Sequence, residues 1–262
     1  MTTAVPAPQP PPASGGSRRP LAAIGHWLWG VAADLAIVLF TFLWCPLFIL
    51  ALLVFRSPRL ADLCARQWGR WIVRACGIRI EVIGLKHIDP RRSYVIVSNH
   101  LSNFDVWASL ASLPLRLRFV AKKELLRVPV FGQALALSDH IVIDRARPDD
   151  AITRINAKAA QLSQGFCILF FAEGTRSPDG KVHAFKKGGI TLALQAQLPI
   201  IPMAVSGTRK FLPKGTLVIR PGGRVRIVLA APVDTATRSV SDRDAVTAHV
   251  RQIVVENHIE NY

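Results

Sequence analysis

The sequence predicts an α/β domain in which helices cover a largely parallel sheet. An apolar, membrane-associated helical segment precedes this domain. After Gly77, short β-branched runs alternate with longer stretches of helical periodicity, and this alternation is typical of a parallel sheet whose faces are both covered. Before Gly77, residues 35–55 carry no charged side chain, and about 20 apolar residues suffice to span a bilayer as a helix. We therefore divide the chain into a disordered tail (1–20), a membrane-associated helical segment (21–76) and an α/β domain (77–262).

The N-terminal region holds three kinds of sequence. The tail contains a proline run at residues 10–12 and cannot bury enough apolar surface to order itself. Pro46 interrupts the uncharged run, which favours a kinked span or a re-entrant helix held in one leaflet. In residues 57–76, Trp68 and Trp71 lie beside a row of arginines, as in helices at the headgroups of an anionic leaflet. The same periodicity also fits an amphipathic helix packed on the protein core.

The α/β region is predicted element by element from hydrophobic period and turn residues. The predicted strands are 78–83, 94–98, 118–121, 141–144, 167–171 and 200–205. The predicted helices between them are 105–113, 123–137, 150–164 and 188–197. Near the end, Pro221-Gly222-Gly223 separates two apolar runs and predicts a hairpin. Residues 241–244 resemble a capping box that would begin a terminal helix.

The charge balance indicates an anionic partner. The formal net charge is +16, from 33 Lys and Arg against 17 Asp and Glu. We expect that partner to be an anionic membrane or a phosphorylated substrate and not nucleic acid, because the basic residues are dispersed and no nucleic-acid-binding motif is present. The cysteines form no C-x-x-C pair and are expected to be reduced packing residues. They are Cys45, Cys64, Cys76 and Cys167.

His100 and Asp105 are the candidate catalytic pair. They follow a predicted strand and open a predicted helix, so the turn between them can bring the carboxylate to the imidazole. A neutral imidazole can take a proton from a hydroxyl near neutral pH if a carboxylate holds its tautomer and stabilises the imidazolium. An alternative within the same stretch is Ser102 as a covalent nucleophile activated by His100. Ser102 also fits a second role, as a cap at the start of the helix.

Other polar clusters follow further predicted strands. Arg145 follows one strand, and Gly174, Thr175 and Arg176 follow another. In open parallel sheets, ligands bind beyond the carboxyl ends of the strands. Guanidinium groups suit a phosphate, and glycine lets the backbone approach it closely. Lys122 adds positive charge at the same predicted edge.

Together these motifs resemble the glycerolipid acyltransferase family, and within it most closely the bacterial 1-acylglycerol-3-phosphate acyltransferases. Residues 99–105 match the N-H-x-x-x-x-D box of that family. Residues 120–125 with 143–145 are similar to its second box, 171–177 to its third and 198–205 to its fourth.

The resemblance implies transfer of a fatty acyl group from acyl-CoA or an acyl carrier protein to the free hydroxyl of 1-acyl-glycerol-3-phosphate, which gives phosphatidic acid. His100 would be the general base and Asp105 would orient it. No metal or cofactor is implied, since a thioester is already an activated donor. The enzyme would lie on the cytoplasmic face of the inner membrane. The residues implied in binding the acceptor are Lys122, Arg145, Glu173, Gly174, Thr175 and Arg176.

Two positions depart from the family pattern. Ala172 stands where the family usually has proline, and Asp139 stands where it usually has glycine. We expect the first only to loosen a turn. The second would place a carboxylate near the phosphate edge, so another lysophospholipid or a lyso-ornithine lipid is an alternative acceptor. A non-catalytic, basic lipid-binding module is an alternative outside the enzymes.

Overall fold

The computed structural model describes residues 19–144, 165–216 and 218–262. The tail up to residue 18, the predicted helix at 150–164 and Arg145 lie outside the described residues.

A sheet of seven strands forms the centre of the molecule, in the order β1-β7-β6-β2-β5-β3-β4. Every neighbouring pair is parallel except β6 and β7, which are antiparallel. The largely parallel α/β fold is therefore confirmed. The strands are β1 (Ile78–Ile83), β2 (Val95–Ser98), β3 (Arg116–Lys122), β4 (Ile141–Ile143), β5 (Phe166–Phe171), β6 (Ile200–Ser206) and β7 (Gly223–Leu229).

Helices cover both faces of the sheet, as the burial of β2 on both sides requires. Ile96 faces a core shared with α2 and α3, whereas Val95 and Val97 face a core shared with α5 and α7. The helices are α1 (Arg19–Leu53), α2 (Pro58–Ala75), α3 (Phe104–Ser112), α4 (Phe131–Leu137), α5 (Gly188–Gln195), α6 (Thr208–Phe211) and α7 (Arg243–Asn257).

The register brings the carboxyl ends of the central strands to one edge of the sheet, here called the site edge. Ser98, the last residue of β2, is level with Phe171 at the end of β5 and with Met203 in the middle of β6, which extends further toward the same edge. Because β7 runs antiparallel to β6, it begins at this same edge. The segments that follow β2, β5 and β6 therefore meet there.

The long apolar helix α1 is one continuous helix that contains Pro46. Residues Ile24–Leu53 make it the one helix in the described parts of the chain that is long and apolar enough to cross a membrane. Its outer side leaves large apolar residues in solvent, with Leu35 66% and Leu39 63% exposed. This surface supports membrane association.

Helix α2 packs between α1 and α3 instead of standing alone. The Trp68 indole donates to Thr41 Oγ1 of α1 at 3.2 Å, and Gly69 lies so close to α3 that a Cβ there would be 3.0 Å from Leu110 Cβ. The structure thus shows the alternative in which this amphipathic helix packs on the core. Leu63 and Trp71 remain exposed on its other side.

Three local predictions were wrong. The described residues of the run before Gly223 form no strand, because their backbone is bonded elsewhere: Ile219 N–H donates to Asp34 of α1 at 3.4 Å, and Gly222 N–H to Cys76 O at 2.8 Å. The capping box lies two residues earlier than predicted, at Ser239 and Asp242.

The predicted helix at 123–137 is broken in two. A 3-10 turn at Lys123–Arg127 and helix α4 are separated by Pro129 and by Val130, whose φ is 63°. Proline removes a backbone donor and ends the helical pattern.

Candidate active site

The site forms where the chain leaves β2, and contacts with its two neighbouring strands hold that exit. The Asn99 side chain donates to Val205 O at 2.9 Å and accepts from Val205 N–H at 2.8 Å, which ties the loop to β6. His100 O accepts from Ser177 N–H at 2.7 Å, which ties it to the loop after β5. The backbone of His100 is therefore fixed from both sides.

The His100 and Asp105 side chains meet as the sequence predicts. His100 Nδ1 lies 2.7 Å from Asp105 Oδ2. The same oxygen accepts from Leu101 N–H at 2.8 Å and from Ser102 N–H at 3.0 Å, so the start of α3 holds the carboxylate. Since an ionised carboxylate only accepts, Nδ1 carries the ring proton and Nε2 is the acceptor nitrogen.

Burial and stacking complete the arrangement. Asp105 is fully buried, and His100 as a whole residue is 9% exposed. That ring stacks on Phe171 at the end of β5, with centroids 4.1 Å apart and planes 16° from parallel. The imidazole is thus held in one orientation by a carboxylate at its edge and an aromatic ring on its face.

The Ser102 hydroxyl is used within the fold. Ser102 is fully buried, donates from Oγ to Leu212 O at 2.8 Å, and accepts from Phe104 N–H at 3.1 Å. Its one proton is therefore directed at a carbonyl and not at His100. Of its two alternatives, this geometry supports the cap at the start of α3.

Glu173 was assigned to the acceptor's headgroup, but the structure gives its carboxylate another task. Oε1 accepts from His100 N–H at 2.8 Å and Oε2 from His183 N–H at 3.3 Å. The residue is 7% exposed. Burial raises the pKa of this carboxyl, and the bonds from His100 and His183 offset part of that rise. Glu173 thus joins the two loops that carry the site, a contact that spacing along the chain did not indicate.

Cations gather around residues 174–176. Gly174 has φ 71°, and a Cβ there would lie 2.7 Å from Lys186 Cε. Thr175 is exposed and accepts from Lys214 Nζ at 3.2 Å. Within the described ranges, the Arg176 guanidinium has no ion-pair partner. The role of Lys214 was missed because nothing in its sequence neighbourhood links it to this loop.

The remaining predicted residues are divided between the two edges. Lys122 ends β3 at the site edge and is exposed, as expected. Asp139 was predicted near this edge, but it precedes β4 and lies toward the opposite edge, where its carboxylate is 4.0 Å from Arg118 Nη2. Strand direction places it there, because parallel strands begin and end at opposite edges of a sheet.

We expect Glu173→Gln to lower the free energy of unfolding by about 2 kcal/mol, because an amide offers one acceptor to two backbone donors and leaves one of them unpaired. Thermal or urea unfolding in detergent measures this change. Glu260→Gln is the matched control, since Glu260 is exposed. Equal stability of the two variants would contradict the bridging role of Glu173.

Comparisons with known proteins show which family this chain resembles. Residues 79–206 match the family model described as Acyltransferase. The chain is 35% identical over 200 residues to the 1-acyl-sn-glycerol-3-phosphate acyltransferase of Limnanthes alba, covering 76% of this chain and 70% of the relative. It is 38% identical over 188 residues to the enzyme of that name from Pseudomonas aeruginosa, covering 69% and 71%.

Two further similarities extend the comparison. The alpha form of that enzyme from Mus musculus is 39% identical over 177 residues, which are 67% of this chain and 62% of the relative. The crystal structure of the 1-acyl-sn-glycerophosphate (LPA) acyltransferase from Thermotoga maritima superposes with a TM-score of 0.78 at 23% identity, covering 90% of this chain and 95% of that one. At 23% identity, this similarity is evidence for the fold alone.

Proposed function

The chain belongs to the acyltransferase family, and from this premise we propose that it transfers a fatty acyl group from a thioester to the free hydroxyl of 1-acyl-glycerol-3-phosphate. The product is phosphatidic acid for phospholipid biosynthesis. The observation that carries the proposal is the buried His100–Asp105 pair, which lies at the same sheet edge as a cluster of cations. The names of relatives from a plant, a mammal and a bacterium support the choice of acceptor.

In the proposed reaction His100 is the general base. Nε2 takes the proton of the acceptor hydroxyl while its oxygen attacks the thioester carbonyl, and Asp105 stabilises the imidazolium that forms. The carbon–sulfur bond then breaks, and the proton returns to the departing thiolate. The tautomer that this step needs is the one that the Asp105 contact favours. A thioester is reactive enough that we assign no metal or cofactor to the step.

Positive charge at the site edge is proposed to bind the acceptor's phosphate. Arg176 is the principal candidate, because its planar fork can bind two phosphate oxygens at once. Gly174 and Thr175 present backbone and hydroxyl beside it, while Lys122 extends the positive potential. We propose the same role for Arg145, which lies outside the described residues. We assign Glu173 to positioning, since its two oxygens already accept backbone N–H groups.

The remaining partners follow from the substrates. We propose acyl-CoA or an acyl carrier protein as donor, an anionic leaflet as the surrounding surface, and no nucleic acid. The site would face the cytoplasm at the inner membrane, where these donors are available. Asp139 was the observation that favoured a different lyso-lipid, and its place beside Arg118 toward the other edge removes that support.

The direct test is an acceptor panel. Protein reconstituted in vesicles is given labelled acyl-CoA with 1-acyl-glycerol-3-phosphate, 1-acylglycerol, lysophosphatidylcholine or lyso-ornithine lipid. We expect acylation of 1-acyl-glycerol-3-phosphate to be faster than that of 1-acylglycerol by about 100-fold, because two good phosphate contacts are lost with the phosphate. Faster acylation of an acceptor without a phosphomonoester would contradict the proposal.

A further inference from the structure

The chain between β3 and α4 exposes apolar side chains in an ordered turn. Residues 123–130, here called the apolar turn, leave Leu125, Leu126 and Val128 exposed by 38%, 41% and 42%. Single exposed apolar residues are common, but a contiguous group of large ones on a protein surface marks a site of contact with something else.

The shape of the apolar turn is imposed by its surroundings. Val128 O accepts from Gly132 N–H at 2.6 Å, and a Cβ at residue 132 would lie 2.1 Å from Leu126 O. Val130 is held at φ 63°, a conformation that costs free energy in a β-branched residue. Phe131, next in the chain, packs on Trp68 of α2 with ring centroids 5.9 Å apart. The fold therefore keeps these side chains exposed, although the conformation of Val130 costs free energy.

Cations border the apolar turn. Lys122 and Arg127 are exposed beside the leucines, and Lys123 forms an ion pair with Asp144. Glu124 is the one acidic residue within 123–130. Protein segments that enter an anionic lipid surface have this arrangement: apolar side chains are bordered by long cationic ones. The cationic groups remain at the lipid phosphates.

The position of the apolar turn agrees with such a contact. It follows the last residue of β3, at the site edge, and β3 is separated from β2 by β5 alone, roughly 10 Å at the usual strand spacing. It leads directly into α4, which packs on the apolar helix α1. Phe48 and Leu52 of α1 line one small cavity with Leu137 of α4. The apolar turn thus lies between α4, which packs on the candidate membrane helix, and the sheet edge that carries the catalytic pair.

We propose that the apolar turn enters an anionic leaflet and forms a second membrane contact beside α1. Leu125, Leu126 and Val128 lie among the acyl chains, and Arg127 lies at the lipid phosphates. This contact holds the site edge against the leaflet, so that an acceptor can pass from the lipid to His100 without crossing water. The inference depends on the membrane association of α1 and not on the identity of the acceptor.

Fluorescence of a labelled cysteine tests the inference. The native cysteines in the described residues are all buried, so Leu126→Cys provides an accessible thiol for an environment-sensitive dye. The control is Ala236→Cys. Ala236 is exposed and directly follows Thr235, whose hydroxyl donates to Leu198 O before the start of β6, at the edge opposite the site. Both proteins are reconstituted at full length in vesicles of phosphatidylglycerol with nitroxide groups on the acyl chains.

We expect the dye at position 126 to be blue-shifted and quenched at least about fivefold more strongly than the dye at position 236, because nitroxides quench only at short range within the apolar layer. Quenching at position 126 no stronger than at position 236 would overturn the proposal.

A turnover measurement gives an independent outcome. Leu125→Ser/Leu126→Ser/Val128→Ser is expected to raise the apparent KM for an acceptor embedded in vesicles by about tenfold, while kcat/KM for a short-chain, water-soluble acceptor stays the same. An equal change for both acceptors would contradict membrane contact as the role of the apolar turn. Wild-type protein that acylates neither acceptor would contradict the proposed function alone, because the quenching measurement needs no turnover.

Discussion

His100→Gln should lower kcat/KM for acyl transfer to 1-acyl-glycerol-3-phosphate by about 10³-fold or more, since a positioned general base typically contributes 10² to 10⁴. Glutamine keeps a side chain of similar length, and its amide N–H can still donate to Asp105, but it cannot take the hydroxyl proton. Steady-state assays with labelled acyl-CoA measure the loss. Binding of the protein to vesicles should be unchanged, because His100 belongs neither to α1 nor to the apolar turn.

The matched control for this substitution is His249→Gln. His249 lies on α7 and is exposed, so its loss should leave kcat/KM within about twofold of the wild type. If His100→Gln retains activity as His249→Gln does, His100 is not the base.

Asp105→Asn should lower kcat by about 10³-fold while the protein stays folded. The carboxylate oxygen Oδ2 now accepts from the His100 ring and from two backbone N–H groups. An amide has one acceptor oxygen and no charge, so it neither stabilises the imidazolium nor enforces the tautomer with Nε2 free, and a comparable change in a serine protease triad costs about 10⁴. Initial rates at saturating donor and acceptor report the effect.

Asp234→Asn is the control for the loss of an acidic side chain, because Asp234 is exposed and lies after β7, away from the site edge. Thermal unfolding of both variants separates a loss of chemistry from a loss of fold. An Asp105→Asn enzyme with nearly full kcat would show that the carboxylate does not orient the base.

The catalytic pair could be predicted because its parts are close in sequence. A β-branched run that ends in a turn and leads into a helix places a histidine at the strand end and a carboxylate in the first helical turn. Short apolar runs that alternate with helical stretches likewise predicted the parallel sheet. In β2, the consecutive residues Val95, Ile96 and Val97 are all buried, on one face or the other.

Contacts that depend on how distant segments align could not be predicted. Glu173 meets the backbone N–H of His100 from the loop after β5, and Lys214 reaches Thr175 from the segment after α6. The predicted hairpin before Gly223 failed for a related reason, because α1 supplies Asp34 as an acceptor for Ile219 N–H, and a local pattern contains no information about that helix. The periodicity of apolar residues predicts the individual helices and strands. Strand register and helix packing then decide which ends of these elements meet, and the local sequence does not contain that information.

Direct transfer of the acyl group at His100 is the central claim, and a rapid-quench experiment tests it most directly. Reconstituted protein is mixed with labelled acyl-CoA in the absence of acceptor and quenched in acid, and the label bound to the protein is counted. A parallel sample receives the acceptor before it is quenched. We predict no covalent label on the protein before acceptor is added, and labelled phosphatidic acid once 1-acyl-glycerol-3-phosphate is present. Label bound to the protein at about one per chain before acceptor is added would show an acyl-enzyme and contradict direct transfer.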